Sequence, residues 1–493
     1  MGKEKSGEHM LPQSVSAACA ELFRLTGNTA DLNIVRGEPG GVKCAVASVE
    51  GMASSALMSE LIFQPLERLG LLGLNERELF EAVSERGLLG ADKKTVPTLE
   101  ETLELLFSGF AVVLVEGSAR GVAVGVQGFD KKAVTEPTSE HNIMSSQEGF
   151  CEALRTNISL VRRRMKTPTL RFELIKVGRR SCADVCLCYI SDRADPALLR
   201  GLRERLQDIG LDTILASGYV KPFIEGGDGV SLFSCVASTE RPDVVCAGLN
   251  EGRAALLIDG SPFALLLPSV FSEGFCTMDD YCSKPYFTAL MRAVRFSAFF
   301  FAVLLPGLYV AAANFHPETL TLKLLLNLTA SEHSTPYSLF VEMLIITLLL
   351  ELIKEASVRM PKAVGSAISI AGGLVIGDAA VKSGLISSPL LIIVGLTASA
   401  AFVVPSLSQQ ISILRLVFII AGGTAGLFGI GAVLAMTAAN ASALQLGGIE
   451  YTSPLLPLRP RRLLDVVARR SFSRLDEEEC TVAGLSGREQ QDD

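Results

Sequence analysis

Charged side chains in the C-terminal half stand where charge is expensive. Glu342 and Glu351 lie inside an apolar stretch, residues 339–352, with Lys354 and Glu355 just beyond it, and Asp378 follows the run Gly372-Gly373-Leu374-Val375-Ile376-Gly377. A charge in a hydrocarbon setting has to face a bundle interior, a water-filled cavity or a partner. Glu342, Glu351 and Asp378 are therefore candidates for an ion path. A plainer account competes with this one. Glu351, Lys354 and Glu355 also fit the wet end of a helix, pairing at i,i+3 and i,i+4 spacing. That account is the better one for Lys354 and Glu355, and both stay open for Glu342 and Glu351. The glycines before Asp378 either allow close helix packing or break a helix beside an ion path.

Other chemistries find little support. There is no Walker loop, no GxSxG elbow, no HExxH and no metal-spaced acid cluster, so the chain does not read as an enzyme. The tightest group of its 11 cysteines is Cys182, Cys186 and Cys188, and the four histidines lie elsewhere. Reduced, buried thiols are expected rather than a metal site, and no cofactor is implied. A net charge of −8 over 493 residues argues against nucleic acid as a partner.

The elements that must position these residues fall into two contrasting halves. Hydrophobic residues make up 49% of the chain and charged ones 20%, with a mean hydropathy of +0.38. That balance predicts an integral membrane protein with a soluble N-terminal half. No apolar run follows Met1-Gly2-Lys3-Glu4-Lys5, so no secretory signal is expected there. Residues 1–30 read as a polar tail. Residues 31–135 alternate strand and helix patterns and end in a hairpin signature around Gly117-Ser118-Ala119-Arg120, predicting a first α/β domain. A linker, 136–148, leads to a second α/β domain, 149–284. There a helix ends in Arg162-Arg163-Arg164, strands are expected over 170–177 and 183–190, and a hairpin turns at Asp259-Gly260-Ser261-Pro262. Asp243 is placed to cap a helix beginning at Val244.

Five apolar stretches follow, at 296–313, 339–352, 363–381, 385–404 and 411–435, in a helical membrane domain spanning 285–445. A basic, then acidic, tail occupies 446–493. Positive clusters precede the first stretch (Lys284, Arg292, Arg295), follow the second (Lys354, Arg359, Lys362) and follow the last (Arg459, Arg461, Arg462, Arg469, Arg470). All three should lie on the cytoplasmic side. Five crossings cannot achieve this and four can, so one stretch is expected to be re-entrant or broken, with 366–380 the best candidate. Arg415 fits the scheme poorly.

Several strings, in order, resemble the A-subunit family of spore germination receptors, the GerA family. They include Glu148-Gly149-Phe150 with Asn157, Arg162-Arg163-Arg164-Met165-Lys166, Thr239-Glu240-Arg241-Pro242-Asp243 and Asp259-Gly260-Ser261-Pro262-Phe263. In the apolar half they are Leu305-Pro306-Gly307-Leu308-Tyr309, Lys354-Glu355-Ala356 with Arg359, and Gly373-Leu374-Val375-Ile376-Gly377. The resemblance runs from about Glu136 to Arg462. It departs at Met144-Ser145-Ser146-Gln147, at Lys132 and at Ser261. It implies a homo-oligomeric subunit in the spore inner membrane, in contact with lipid, its soluble domains facing the spore core. Its partners would be a transporter-like B subunit and a lipoprotein C subunit, and it would contribute a nutrient-gated ion path that triggers germination. It also implies structural or signalling roles for Asn157, Arg162, Arg163, Arg164, Glu240, Arg241, Pro242, Asp243, Asp259, Gly260, Glu355 and Arg359. Three rivals remain: an accessory paralogue associated with the SpoVA channel, a secondary transporter and a membrane-anchored enzyme. The absence of any visible internal repeat weighs against the transporter.

Overall fold

The computed structural model describes residues 9–86, 92–128, 136–137, 140, 143–226, 231–332, 335–359, 377–456 and 466. The soluble half consists of two units built to one plan. In the first, helix α1 (Val15–Thr26) precedes strands β1 (Leu32–Gly37) and β2 (Cys44–Val49). Helical turns then lead to β3 (Lys93–Val96), helix α2 (Leu99–Leu106) and the hairpin of β4 (Phe110–Val115) and β5 (Gly121–Gly125). The second unit repeats the sequence of elements. Helix α3 (Leu154–Arg164) precedes β6 (Leu170–Val177) and β7 (Ala183–Ile190), and helices α4 (Pro196–Gln207) and α5 (Ser217–Glu225) precede β8 (Ala237–Thr239). Helix α6 (Pro242–Asn250) then leads to the hairpin of β9 (Ala254–Ile258) and β10 (Ala264–Leu267).

The spatial orders are β1-β2-β4-β5-β3 and β6-β7-β9-β10-β8, the same permutation, with every neighbouring pair antiparallel. The soluble half therefore contains an internal repeat that the sequence does not display. It lies outside the apolar half, where a transporter would carry its repeat.

Both sheets are covered on both faces, which explains why their middle strands, β4 and β9, are apolar throughout. Along β2, Ala45, Ala47 and Val49 meet α1 and α2, while Cys44 and Val46 meet the helical turns opposite, around Ile62, Leu66 and Leu79. Residues 1–30 were expected to be a polar tail, yet α1 buries Val15, Ala18, Cys19 and Leu22. Their i, i+3, i+4, i+7 spacing is the signature of one apolar helix face. The helix ends at Gly27, whose φ of 61° is the left-handed stop that glycine favours.

On one face of the second sheet, Val185, Leu187, Leu256, Ile258, Leu265 and Leu267 belong to a core that continues into the apolar helices through Phe275, Phe299, Leu414 and Phe418. Aromatic contacts carry this join: Phe275 stacks on Phe296 at 3.9 Å, and Phe271 meets both Phe299 and Tyr451 edge-on.

Four helices pack as the bundle of the apolar half: α7 (Pro285–Phe315), α8 (Leu339–Arg359), α9 (Ser388–Phe402) and α10 (Ser408–Ala443), with a shorter helix, Leu322–Glu332, between α7 and α8 in the chain. Two segments, Pro285–Phe315 and Pro405–Ala443, are long and apolar enough to cross a membrane. The second of these is not one rod. A straight helix of 36 residues would be about 54 Å long, but both of its ends lie against the second soluble unit. Ser406 Oγ donates to the Gly274 carbonyl at 2.7 Å, and Ser231 Oγ lies 3.2 Å from Asn440 Oδ1. The reversal is at Gly426 (φ 61°, ψ −144°). Beyond it the chain returns so closely that a Cβ on Gly429 would sit 2.5 Å from the Ala421 carbonyl oxygen. The stretch expected to make one crossing at 411–435 is thus a helical hairpin. Most of 366–380, the expected re-entrant stretch, lies outside the described residues.

Directions within the bundle follow from its contacts. Helix α7 leaves the second unit and reaches Gly426 with Phe315; α8 starts beside Gly423 with Phe340 and ends near Ser412 with Lys354; α9 starts beside Glu342 and ends towards Gly274. Helices α7 and α10 cross on glycines. A Cβ on Gly307 would meet the Phe418 carbonyl oxygen at 2.5 Å, and one on Gly422 would strike the Gly307 carbonyl.

Candidate functional site

One polar cluster in the apolar half grows from a proline. Pro306 has no N–H, so the carbonyl four residues earlier in α7, that of Ala302, has no helical donor. Arg415, from α10, fills the gap: its Nε donates to the Ala302 carbonyl at 2.9 Å. Its Nη2 reaches the Thr397 carbonyl of α9 at 3.4 Å, and its Nη1 lies 3.9 Å from Glu351 Oε1 of α8. One arginine therefore touches α7, α8 and α9. Glu351 also accepts from Ser412 Oγ at 2.9 Å and lies 3.7 Å from Lys354 Nζ, which itself donates to Ser412 Oγ at 3.1 Å. The charge that fitted the topology scheme poorly is the centre of the cluster.

Glu342 is placed differently. It is only 1% exposed, in the first turn of α8, and its Oε2 accepts the backbone N–H of Ser387 at 3.1 Å. Ser387 is the N-cap of α9 and makes no side-chain cap of its own, so a carboxylate from another helix does part of that work. Glu342 Oε1 and Ser387 Oγ are buried without a hydrogen-bond partner among the described residues. Asp378 is exposed and pairs with Lys382 one turn on, and Glu355 pairs with Arg359 in the same way. Glu342 thus lies in the first turn of α8 and Glu351 past its middle, in separate clusters, and Asp378 joins neither.

In the soluble half, the arginine run divides by helix face. Arg162 is fully buried between the two units. Its Nε and Nη2 donate to both carboxylate oxygens of Asp31 at 2.7 and 3.1 Å, and its Nη1 and Nη2 reach the carbonyls of Thr167 and Leu170 at 2.9 and 3.1 Å. The Phe107 ring of the first unit lies 4.6 Å from the guanidinium, and the Phe172 ring of the second 4.8 Å. Thr29 Oγ1 donates to Asp31 at 2.7 Å and accepts from the Phe172 N–H at 3.1 Å, closing the junction. Arg163 and Arg164 turn instead to Glu148. Burial alone would raise that carboxyl, but the two arginines more than offset it and hold it below the usual glutamate range.

The other motif residues pin loops to this scaffold. Asn157 clasps residue 151 through both its N–H and its carbonyl, at 2.9 and 2.6 Å. Asp259 accepts from the Leu154 N–H at the start of α3, and the Gly260 N–H donates to the Glu152 carbonyl. The buried Glu240 offers its backbone carbonyl to the Phe150 N–H at 2.7 Å. Asp243 does not cap its helix: Pro242 opens α6 one residue earlier, leaving Asp243 in the first turn, where it holds Arg241 at 3.1 and 2.5 Å. Arg241 also donates to Ser145 Oγ.

Sequence reasoning missed Asp31, Phe107 and Ser412 as partners, and gave Arg292 and Arg295 only a topological role. Both arginines converge on Asp280 at the base of α7, at 3.0 and 2.8 Å.

The family model described as "Bacillus/Clostridium GerA spore germination protein" matches residues 20–479. The chain is 33% identical over 473 residues to Spore germination protein KA of Bacillus subtilis, covering 95% of this chain and 86% of that protein. It is 32% identical to an uncharacterized membrane protein, YfkQ, of the same organism, covering 91% and 87% respectively. Among solved structures, the N-terminal domain of the A subunit of the Bacillus megaterium spore germinant receptor GerK3 is 31% identical. That match covers 54% of this chain and 98% of the other, with a TM-score of 0.44. The chain belongs to the GerA family of spore germination proteins.

Proposed function

We propose that this protein is the A subunit of a spore germination receptor in the spore inner membrane. Together with a B and a C subunit, and as a homo-oligomer, it contributes a nutrient-gated ion path. Membership of the family supports the germination role, and the Arg415–Glu351–Lys354–Ser412 cluster inside an apolar bundle supports the ion path. Charges in such a setting are retained where they serve conduction or gating. In this reading α7 leaves the cytoplasmic side, α8 and α9 return to it, and the hairpin of α10 goes out and back. The chain just beyond α10, where Tyr451 packs on Phe271, then lies beside the second soluble unit on the side that the positive clusters demand. Glu351 lines the path from the cytoplasmic end and Glu342 closes it at the far end, while Asp378 lies apart from both.

The test is deletion of the gene and measurement of monovalent-cation release from purified spores across a panel of nutrients. Complementation would use the wild type, Glu351→Gln and Glu342→Gln. Release lost for particular nutrients and restored by the wild type supports the receptor role. Unchanged release for every nutrient, with no redundant receptor present, would overturn it in favour of an accessory paralogue.

A further inference from the structure

We propose that Arg415 is the closing latch of the helical bundle, seated in the gap that Pro306 leaves in α7, and that opening the ion path requires it to let go. The proposal rests on the ion-path reading above and names the side chain that regulates it. Ala302 is fully buried, so its carbonyl would be left unsatisfied without the Arg415 Nε bond at 2.9 Å, a costly state in an apolar interior. The surrounding α7–α10 contact is made by Gly307, Gly422 and Phe418, whose packing gives close approach with little directionality. The arginine supplies the direction.

Its hold is also graded. Only the bond to Ala302 is short; the contacts to Thr397 and Glu351 are 3.4 and 3.9 Å. Released from α7, the guanidinium still has Glu351 beside it on α8, so it need not become an unpaired charge. The Ala302 carbonyl, by contrast, regains a donor only if water reaches it. Parting of α7 from α10 and wetting of the interior are thereby linked in one step.

The experiment compares unstimulated and nutrient-stimulated cation release from spores carrying Arg415→Met, Arg415→Lys, Pro306→Ala, and Pro306→Ala with Arg415→Met. Protein abundance is measured in each. Arg415→Met is expected to raise unstimulated release roughly ten- to hundred-fold, the population shift set by losing one hydrogen bond to a charged group. Arg415→Lys, with a single compact donor group, should fall between it and the wild type. Pro306→Ala gives α7 its own donor for Ala302, so the double variant should return most of the way to wild-type resting release. A merely structural arginine would not show that rescue. Wild-type resting release from Arg415→Met at normal abundance overturns the latch, as does a double variant no better than the single one or absence of both from the membrane. A wild-type protein that releases no cation on nutrient addition would instead refute the ion-path reading itself.

Discussion

Arg162 and Arg415 are both buried and both join separate parts of the chain, but they are held in opposite ways. Arg162 sits between the two soluble units with a bidentate carboxylate, two carbonyls and an aromatic ring from each unit. Arg415 has one short bond to a carbonyl freed by a proline, one long bond and a carboxylate 3.9 Å away that is itself shared with Ser412 and Lys354. The first arrangement engages every nitrogen of the guanidinium and pairs its charge with a buried carboxylate, so it fixes the two units as a rigid pair. The second has spare partners close by and can be rearranged. The difference separates a permanent rivet from a contact able to switch.

The largest effect should come from breaking the rivet. Arg162→Leu leaves Asp31 charged and buried, and the cost expected for such a break is about 3–5 kcal/mol. Thermal melting of the full chain in detergent, with limited proteolysis across residues 129–148, should show the two units separating. Replacing both partners, Arg162→Leu with Asp31→Leu, should cost less than Arg162→Leu alone, because no orphaned charge remains. If Arg162→Leu melted with the wild type, the distinction between the two arginines would collapse.

Next in size is the surface on which Arg415 rests. Gly422→Val places side-chain atoms against the Gly307 carbonyl. Forcing α7 and α10 apart in this way should cost about 1–3 kcal/mol and lower the protein's abundance in the membrane. Gly431→Val, where a Cβ meets nothing, is the control and should leave abundance unchanged. Equal loss from both would mean that the crossing is not set by this glycine.

Smaller again is the stability effect of Glu351→Gln. Glu351 is about a third exposed, and such pairs contribute under about 1 kcal/mol. The melting temperature should barely move, in contrast to the Asp31 side of the rivet. A large loss of stability would make the Arg415 cluster a second rivet and remove the contrast.

The rivet and the latch were unequally legible. Strands 170–177 and 183–190 and the turn at Asp259-Gly260 could be read because alternation and turn chemistry are local. Three arginines in a row do not announce which is buried; only the helix, which turns Arg162 inward with Ile158 and Val161, separates it from Arg163 and Arg164. Its partner Asp31 is 131 residues away, and no local pattern encodes that distance. Helix α1 did carry an amphipathic signal, diluted by the polar residues before it. The reversal at Gly426 was hidden because a glycine in an apolar run reads equally as a packing contact. Arg415 was visible only as a misfit, and its meaning required seeing Pro306 beside it. The repeat of the two soluble units is a matter of strand order, which survives when the residues no longer resemble each other.

The smallest expected effect tests whether the rivet depends on its solvent-facing neighbours. Glu148 bridges Arg163 and Arg164 and is held below the ordinary glutamate range. A depressed carboxyl contributes stability that is present above its unfolded pKa, about 4.3, and is lost as pH falls through its folded value. The wild type should therefore lose slightly more stability than Glu148→Gln between neutral pH and pH values below about 4, with the two converging at the acid end. The Asp31–Arg162 pair lies out of solvent one helix face away and should not follow that loss. Melting curves of both proteins from pH 7 to pH 3 would show it. If the units separated in step with Glu148 protonation, the exposed bridge and the buried one would be a single cooperative element, and the rivet would extend to the surface of α3.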